Sequence, residues 1–125
     1  MSAAISLIRA GTAWLLLLVA LGFALLLLNG AAFSAWMSGG PPNPFPQGWA
    51  MRSQAQLAYA GAVAFAGFAV FRVIREIPAL SRITIALAAV SAVLGVWPSV
   101  HQFVQVDRCL DSGGRWNYEG MQCER

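Results

Sequence analysis

The sequence predicts an all-α membrane protein, with three transmembrane helices and a short disulfide-stapled C-terminal hairpin. Three observations predict it. Only 10% of the 125 residues are charged while 58% are hydrophobic, whereas an average soluble domain is about 25% charged. The charges leave three long gaps, from Ala10 to Met51, from Ser53 to Phe71 and from Ile83 to Val106. Both cysteines, Cys109 and Cys123, fall in the polar stretch that follows the last gap. A soluble chain of this size has too little interior to bury three such stretches. This argues against an ordinary cytosolic enzyme, a disordered chain and a nucleic-acid binder.

A bilayer core about 30 Å thick takes about 20 helical residues, all of whose backbone groups must bond internally. The first span centres on Ala13–Leu28 and extends over about 7–32. A cleaved signal peptide is the alternative there, since Arg9 precedes the run and Gly30, Ala32 and Ser34 follow it. The apolar run outlasts the roughly 7–15 residues of a signal-peptide core, so a retained helix is expected. The second span centres on Leu57–Phe71 within about 53–77, and the third covers about 81–104. Pro78 breaks the chain between them, and Pro98 is expected to kink the third or free a carbonyl near its end. The whole chain, 1–125, reads as a single membrane domain.

Orientation follows from Lys and Arg near the helix ends, which favour the cytoplasmic side. The short loop after the second span carries Arg72, Arg75 and Arg82 against Glu76, and Arg9 lies on the same side. On the other side Arg52, Arg108, Arg115 and Arg125 are balanced by Asp107, Asp111, Glu119 and Glu124. The expected topology is N-terminus in the cytoplasm of a bacterial inner membrane and tail in the periplasm. That topology exports both cysteines to a compartment where disulfides persist.

The external segment Ser38–Gly48, rich in Pro and Gly, is expected to be a polyproline or turn linker. Trp36, Phe45 and Trp49 flank it as interfacial anchors, or the loop itself binds a partner. In the tail, 105–125, helix is expected to continue to about Leu110 and stop at Gly113–Gly114. Arg115–Tyr118 then alternates like a strand, Glu119–Gly120 reads as a turn and Met121–Glu124 as the returning strand. A two-stranded hairpin alone is marginal. A Cys109–Cys123 bridge closing a loop of about 15 residues adds roughly 3 kcal/mol; free thiols or an intermolecular bond are the alternatives. Trp116 and Tyr118 are expected to pack on the bridge or the membrane surface.

The run CLDSGGRWNY, followed by Cys123, resembles the C-terminal tails of small proteobacterial inner-membrane proteins. Some of these look like immunity proteins encoded beside antibacterial secreted effectors. The resemblance covers only Asp107–Cys123 and implies a location and a kind of partner, but no catalytic residues.

Chemistry within the spans is sparse. Their polar residues Tyr59, Thr84, Ser91 and Ser99 are mild, and no Asp, Glu or Lys lies away from the ends. Ion paths through membranes use such groups. His101, the single His, reads as an interfacial hydrogen-bonding group, with haem ligation the sharper alternative. Ser99 and His101 are two positions apart and point to different helix faces. Asp107 and Asp111 read as surface charges. Two cysteines 14 apart lack zinc-ligand spacing, and a thiol oxidoreductase needs a closer or second pair. No catalytic residue, metal or cofactor is expected.

What recurs is small residues: Ala58, Ala62 and Ala66 in the second span, Ala88, Ala92, Gly95 and Ser99 in the third. Small residues let helix backbones approach in lipid. The expectation is a three-helix bundle in which first-span leucines fill the grooves or face lipid, or else one stripe kept for a partner helix. The leading functional expectation is a non-enzymatic protein that binds another protein, most concretely an immunity-type protein against a membrane-acting or periplasmic toxin. Arg115, Trp116 and Tyr118 are the expected contact residues, being of the types that anchor interfaces. The alternatives are an accessory subunit of a respiratory or transport complex, and a self-associating channel or transporter.

Overall fold

The computed structural model describes residues 2–125 as three long helices and a two-stranded hairpin. These are α1 (Ser2–Gly39), α2 (Pro46–Glu76), α3 (Arg82–Asp111), β1 (Arg115–Asn117) and β2 (Gln122–Glu124). All three helices are long and apolar enough to cross a membrane. Among the described residues α1 packs along α2 and α2 along α3, while α1 and α3 share no packed interface. The arrangement is a row with α2 in the middle, not the mutually packed bundle the sequence suggested.

The helices turn small residues inward and bulky ones outward. In α1 the buried positions Ala13, Leu17, Ala24, Ala31 and Ser34 recur at three-, four- and seven-residue steps, the repeat of one helical seam. Leu15, Leu18, Leu25 and Leu26 are exposed, so the leucine runs do not fill the grooves of α2. Leu17 alone is fully buried, set against Gly67, while Leu21 and Leu27 are half-buried. On α2, Ala58, Ala60, Ala62, Gly67 and Ala69 are buried and Ala66 is half-buried.

Of the small-residue stripe expected on α3, Gly95 meets α2, whereas Ala88, Ala92 and Ser99 are exposed. Beside Gly95, the side that meets α2 carries Thr84 and Ser91. Ser91 Oγ donates to the Ala62 carbonyl at 2.7 Å, Thr84 is 2% exposed, and a Cβ on Gly95 would stand 3.8 Å from the Ala62 Cβ. The physical reason is asymmetry of cost. An apolar surrounding offers hydroxyls no partner, so Thr84 and Ser91 take the interface, while alanine is tolerated on either side.

The Pro/Gly-rich connection is shorter than expected. Ser38 and Gly39 complete α1, Pro46–Gly48 open α2, and only residues 40–45 lie between. Pro46 suits the first helical turn because its missing N–H has no partner there anyway. Asn43 holds the turn: its Nδ2 donates to the Met37 and Pro41 carbonyls, and its Oδ1 accepts from Phe45 N at 3.0 Å. The connection after α2 contains a cis Ile77–Pro78 bond. Ser81 then caps α3, its Oγ accepting from Thr84 N. α3 runs through the buried Pro98 without a break in helix.

α3 ends where the glycines stand. Gly113 has φ +79°, Gly114 N donates to the Cys109 carbonyl and Gly113 N to the Leu110 carbonyl. This is the reciprocal pair of bonds that closes a helix on a left-handed residue. The hairpin follows in the expected order, with Trp116 opposite Cys123 and Asn117 opposite Gln122. Cys109 and Cys123 form the disulfide, with Cα atoms 5.5 Å apart.

Candidate functional site

The helix ends beside the hairpin enclose a cleft of about 410 Å³. Three pieces of chain form it: the first turns of α2, the segment of α3 around Pro98, and the hairpin turn. α2 supplies Trp49, Arg52 and Tyr59; α3 supplies Trp97, His101 and Gln102; the turn supplies Tyr118 and Glu119.

Each wall is held by local chemistry. Arg52 lies over the Trp49 ring, 5.1 Å from its centroid, and Trp49 meets Phe33 of α1 edge-on at 5.9 Å. His101 stacks on Trp97 one turn away, with centroids 4.9 Å apart and planes 17° from parallel. That places the single histidine in an aromatic wall of the cleft. The turn is organised by Asn117, whose Oδ1 accepts from Glu119 N and Gly120 N and whose Nδ2 donates to Glu124 at 2.7 Å. Gly120 seats the turn on α2: a Cβ there would stand 2.5 Å from the Phe45 ring, and one on Gly48 2.8 Å from the Gly120 carbonyl. Only two glycines allow this approach.

The structure divides the tail residues expected to meet a partner. Arg115 and Tyr118 are exposed, whereas Trp116 is buried to 9% exposure in the hairpin itself. Its indole Nε1 is buried without a hydrogen-bond partner. Trp116 therefore packs the hairpin and is not a free anchor; Tyr118 borders the cleft instead. Asp107 and Asp111 are outside the cleft lining.

The other end of the helices carries a polar lock that sequence reading missed. Arg72 pairs with Glu76 at 2.5 Å. Thr84 Oγ1 donates to Glu76 Oε2 at 2.8 Å, and Arg72 donates to Thr84 Oγ1 and Ser81 Oγ. The lock ties the end of α2 to the start of α3. Arg9 of α1 donates to the carbonyls of Ile74 and Ile77, satisfying groups a helix end leaves open. Of the loop arginines, Arg75 lies over the Phe71 ring at 5.7 Å and Arg82 is exposed. The spacing Ser81-x-x-Thr84 signals the helix cap; nothing in the sequence signals that Glu76 joins it. Gln56, which accepts from Ser34 Oγ at 2.9 Å across the α1–α2 seam, was equally silent.

Comparison with protein-family models, with curated proteins and with solved structures finds no match for this chain.

Proposed function

We propose that this chain is a three-span protein of a bacterial inner membrane, with its N-terminus in the cytoplasm and its hairpin outside. It acts without catalysis by binding another protein on the external side. The most concrete form is an immunity-type protein that neutralises a membrane-acting or periplasmic toxin.

The outward-facing leucines of α1 and the charge-free helix interiors support the spanning reading. The segment between Arg52 and Arg72 rises about 28 Å at 1.5 Å per residue, close to the thickness of a hydrocarbon core. Arg72, Arg75, Arg82 and Arg9 share the end expected in the cytoplasm.

One observation carries the binding reading. The hairpin is fixed by a disulfide, a helix stop, an Asn117-capped turn and a glycine contact to α2, yet it presents Arg115 and Tyr118 to solvent. A rigid protrusion with exposed Arg and Tyr loses little freedom on association. The test is expression of the chain in cells challenged with the product of the neighbouring gene. Protection that is lost in Arg115→Ala/Tyr118→Ala is expected, and absence of protection overturns the immunity reading.

A second reading, an accessory subunit of a larger membrane complex, draws on the exposed Ala88 and Ala92 of α3. Small residues at that spacing suit a partner helix. Comigration with an intact complex on native gels tests it.

A further inference from the structure

The cleft beside the hairpin has two properties that packing does not explain. It is lined by charges of opposite sign that do not neutralise one another. Among the described residues the only oppositely charged side chains within 4.0 Å are Arg72 and Glu76. Arg52 on one wall and Glu119 on the other therefore face the same space unpaired. The cleft is also graded along the helix axis. Tyr59 lies seven residues beyond Arg52, about 10 Å further along α2, and Trp97 one turn before His101 on α3. The charged groups stand only at the hairpin end, among Phe45, Trp49 and Tyr118, while the deeper end carries the partly exposed rings Tyr59 and Trp97 with no charge.

We infer that this cleft binds a zwitterionic phospholipid headgroup of the phosphoethanolamine type. The lipid phosphate meets Arg52, the primary ammonium meets Glu119, and the glycerol and first methylenes lie along Tyr59 and Trp97. The inference rests on the spanning reading, which sets the depth. Arg52 bounds the charge-free stretch of α2, and His101 stands about 28 Å along α3 from Arg82, so both reach the same headgroup level. Guanidinium groups bind phosphate oxygens through charge-assisted bonds. The ring of Tyr118, next to Glu119 in the cleft lining, favours a nearby cation. A purely anionic lipid leaves Glu119 without a counter-charge. A soluble phosphate ester leaves the ring-lined end empty. The graded cleft therefore favours the amphiphile.

The experiment is native mass spectrometry of the full chain released from detergent doped with phosphatidylethanolamine, phosphatidylglycerol or phosphatidylcholine. One phosphatidylethanolamine is expected to stay bound, roughly tenfold in preference to phosphatidylglycerol, as one charge-assisted bond implies. Arg52→Gln is expected to lower retention of that lipid about tenfold. Glu119→Gln is expected to abolish the preference. Both side chains are exposed, so neither change empties a packed site. Equal retention of the three lipids by the unaltered chain, or retention unaffected by either substitution, overturns the site. Displacement of lipid by soluble phosphoethanolamine at equal concentration overturns the lipid and assigns a soluble ester. Extraction of the chain from vesicles by alkaline carbonate refutes the spanning reading; loss of selectivity in a chain that resists extraction refutes the headgroup site alone.

Discussion

Gly67 of α2 faces Ala20 of α1 so closely that a Cβ on the glycine would stand 2.6 Å from the alanine Cβ. Backbone, not side chain, sets the spacing of the α1–α2 seam at this level. Gly67→Ala is expected to force the helices apart and destabilise by about 1–3 kcal/mol, the usual cost of overpacking. Gly22→Ala is the control, because nothing lies within 4 Å of its Cβ position; removing a mid-helix glycine there is expected to be neutral or stabilising. Thermal unfolding in micelles, with α1–α2 distances from paired spin labels, checks both.

The α2–α3 seam depends on hydroxyls. Ser91→Ala removes one interhelical bond to the Ala62 carbonyl and is expected to cost about 0.6 kcal/mol, the average for such bonds in membranes. Thr84→Val is expected to cost more, since it breaks bonds to both Glu76 and Arg72. Denaturation midpoints of the two variants should rank in that order; the reverse order would show that the polar lock contributes little.

Gly114 passes directly over the disulfide. A Cβ there would stand 2.5 Å from Cys123 Sγ and 3.1 Å from Cys109 Sγ. Gly114→Ala is expected to leave a large fraction of both thiols free, read as two alkylations by mass spectrometry without reductant.

Cys109→Ser/Cys123→Ser is expected to destabilise the hairpin by roughly 3 kcal/mol. The three helices are expected to persist, because their seams do not involve the tail. Hydrogen exchange should rise at residues 115–124 and stay unchanged in the middle of α2.

Orientation is expected to respond to three side chains. Replacing Arg72, Arg75 and Arg82 with Gln removes most of the charge bias, so a reporter fused after Arg125 should show a mixed or inverted population. Retention of a single orientation would mean that another signal sets it.

The sequence was most legible where one residue type has one use. Gly113–Gly114 announced the helix stop, Pro78 the break, and Cys109 with Cys123 the staple, because few alternatives satisfy those residues. The presence of three long apolar helices was equally plain from the charge gaps, but their ends were not: α1 covers Ser2–Gly39 against an expected 7–32, and α2 starts at Pro46 and not near 53, because the first gap runs on through the connection. The faces were not. Ala88 and Ala92 have the spacing of a packing stripe, but alanine is indifferent to its side, and the hydroxyls of Thr84 and Ser91 decided the rotation of α3. The cleft was illegible because its parts, Arg52, His101 and Glu119, are far apart in the chain and each is unremarkable alone. Nothing local in the sequence signals that the Gly48–Gly120 contact brings them together.

The row of helices has a mechanical corollary. α1 is fastened to α2 by Gly67–Ala20, Ser34–Gln56 and Arg9, while α3 is fastened by Ser91–Ala62 and the Arg72–Glu76–Thr84 lock. The two sets of fasteners sit on opposite flanks of one post, so damage to one leaves the other engaged, and paired substitutions across the post should add in free energy. The hairpin's seat on Phe45 and Gly48 adds a third fastening for α3 at the end opposite Thr84, so the wall of the cleft is tied to α2 on both sides of its mid-helix contacts.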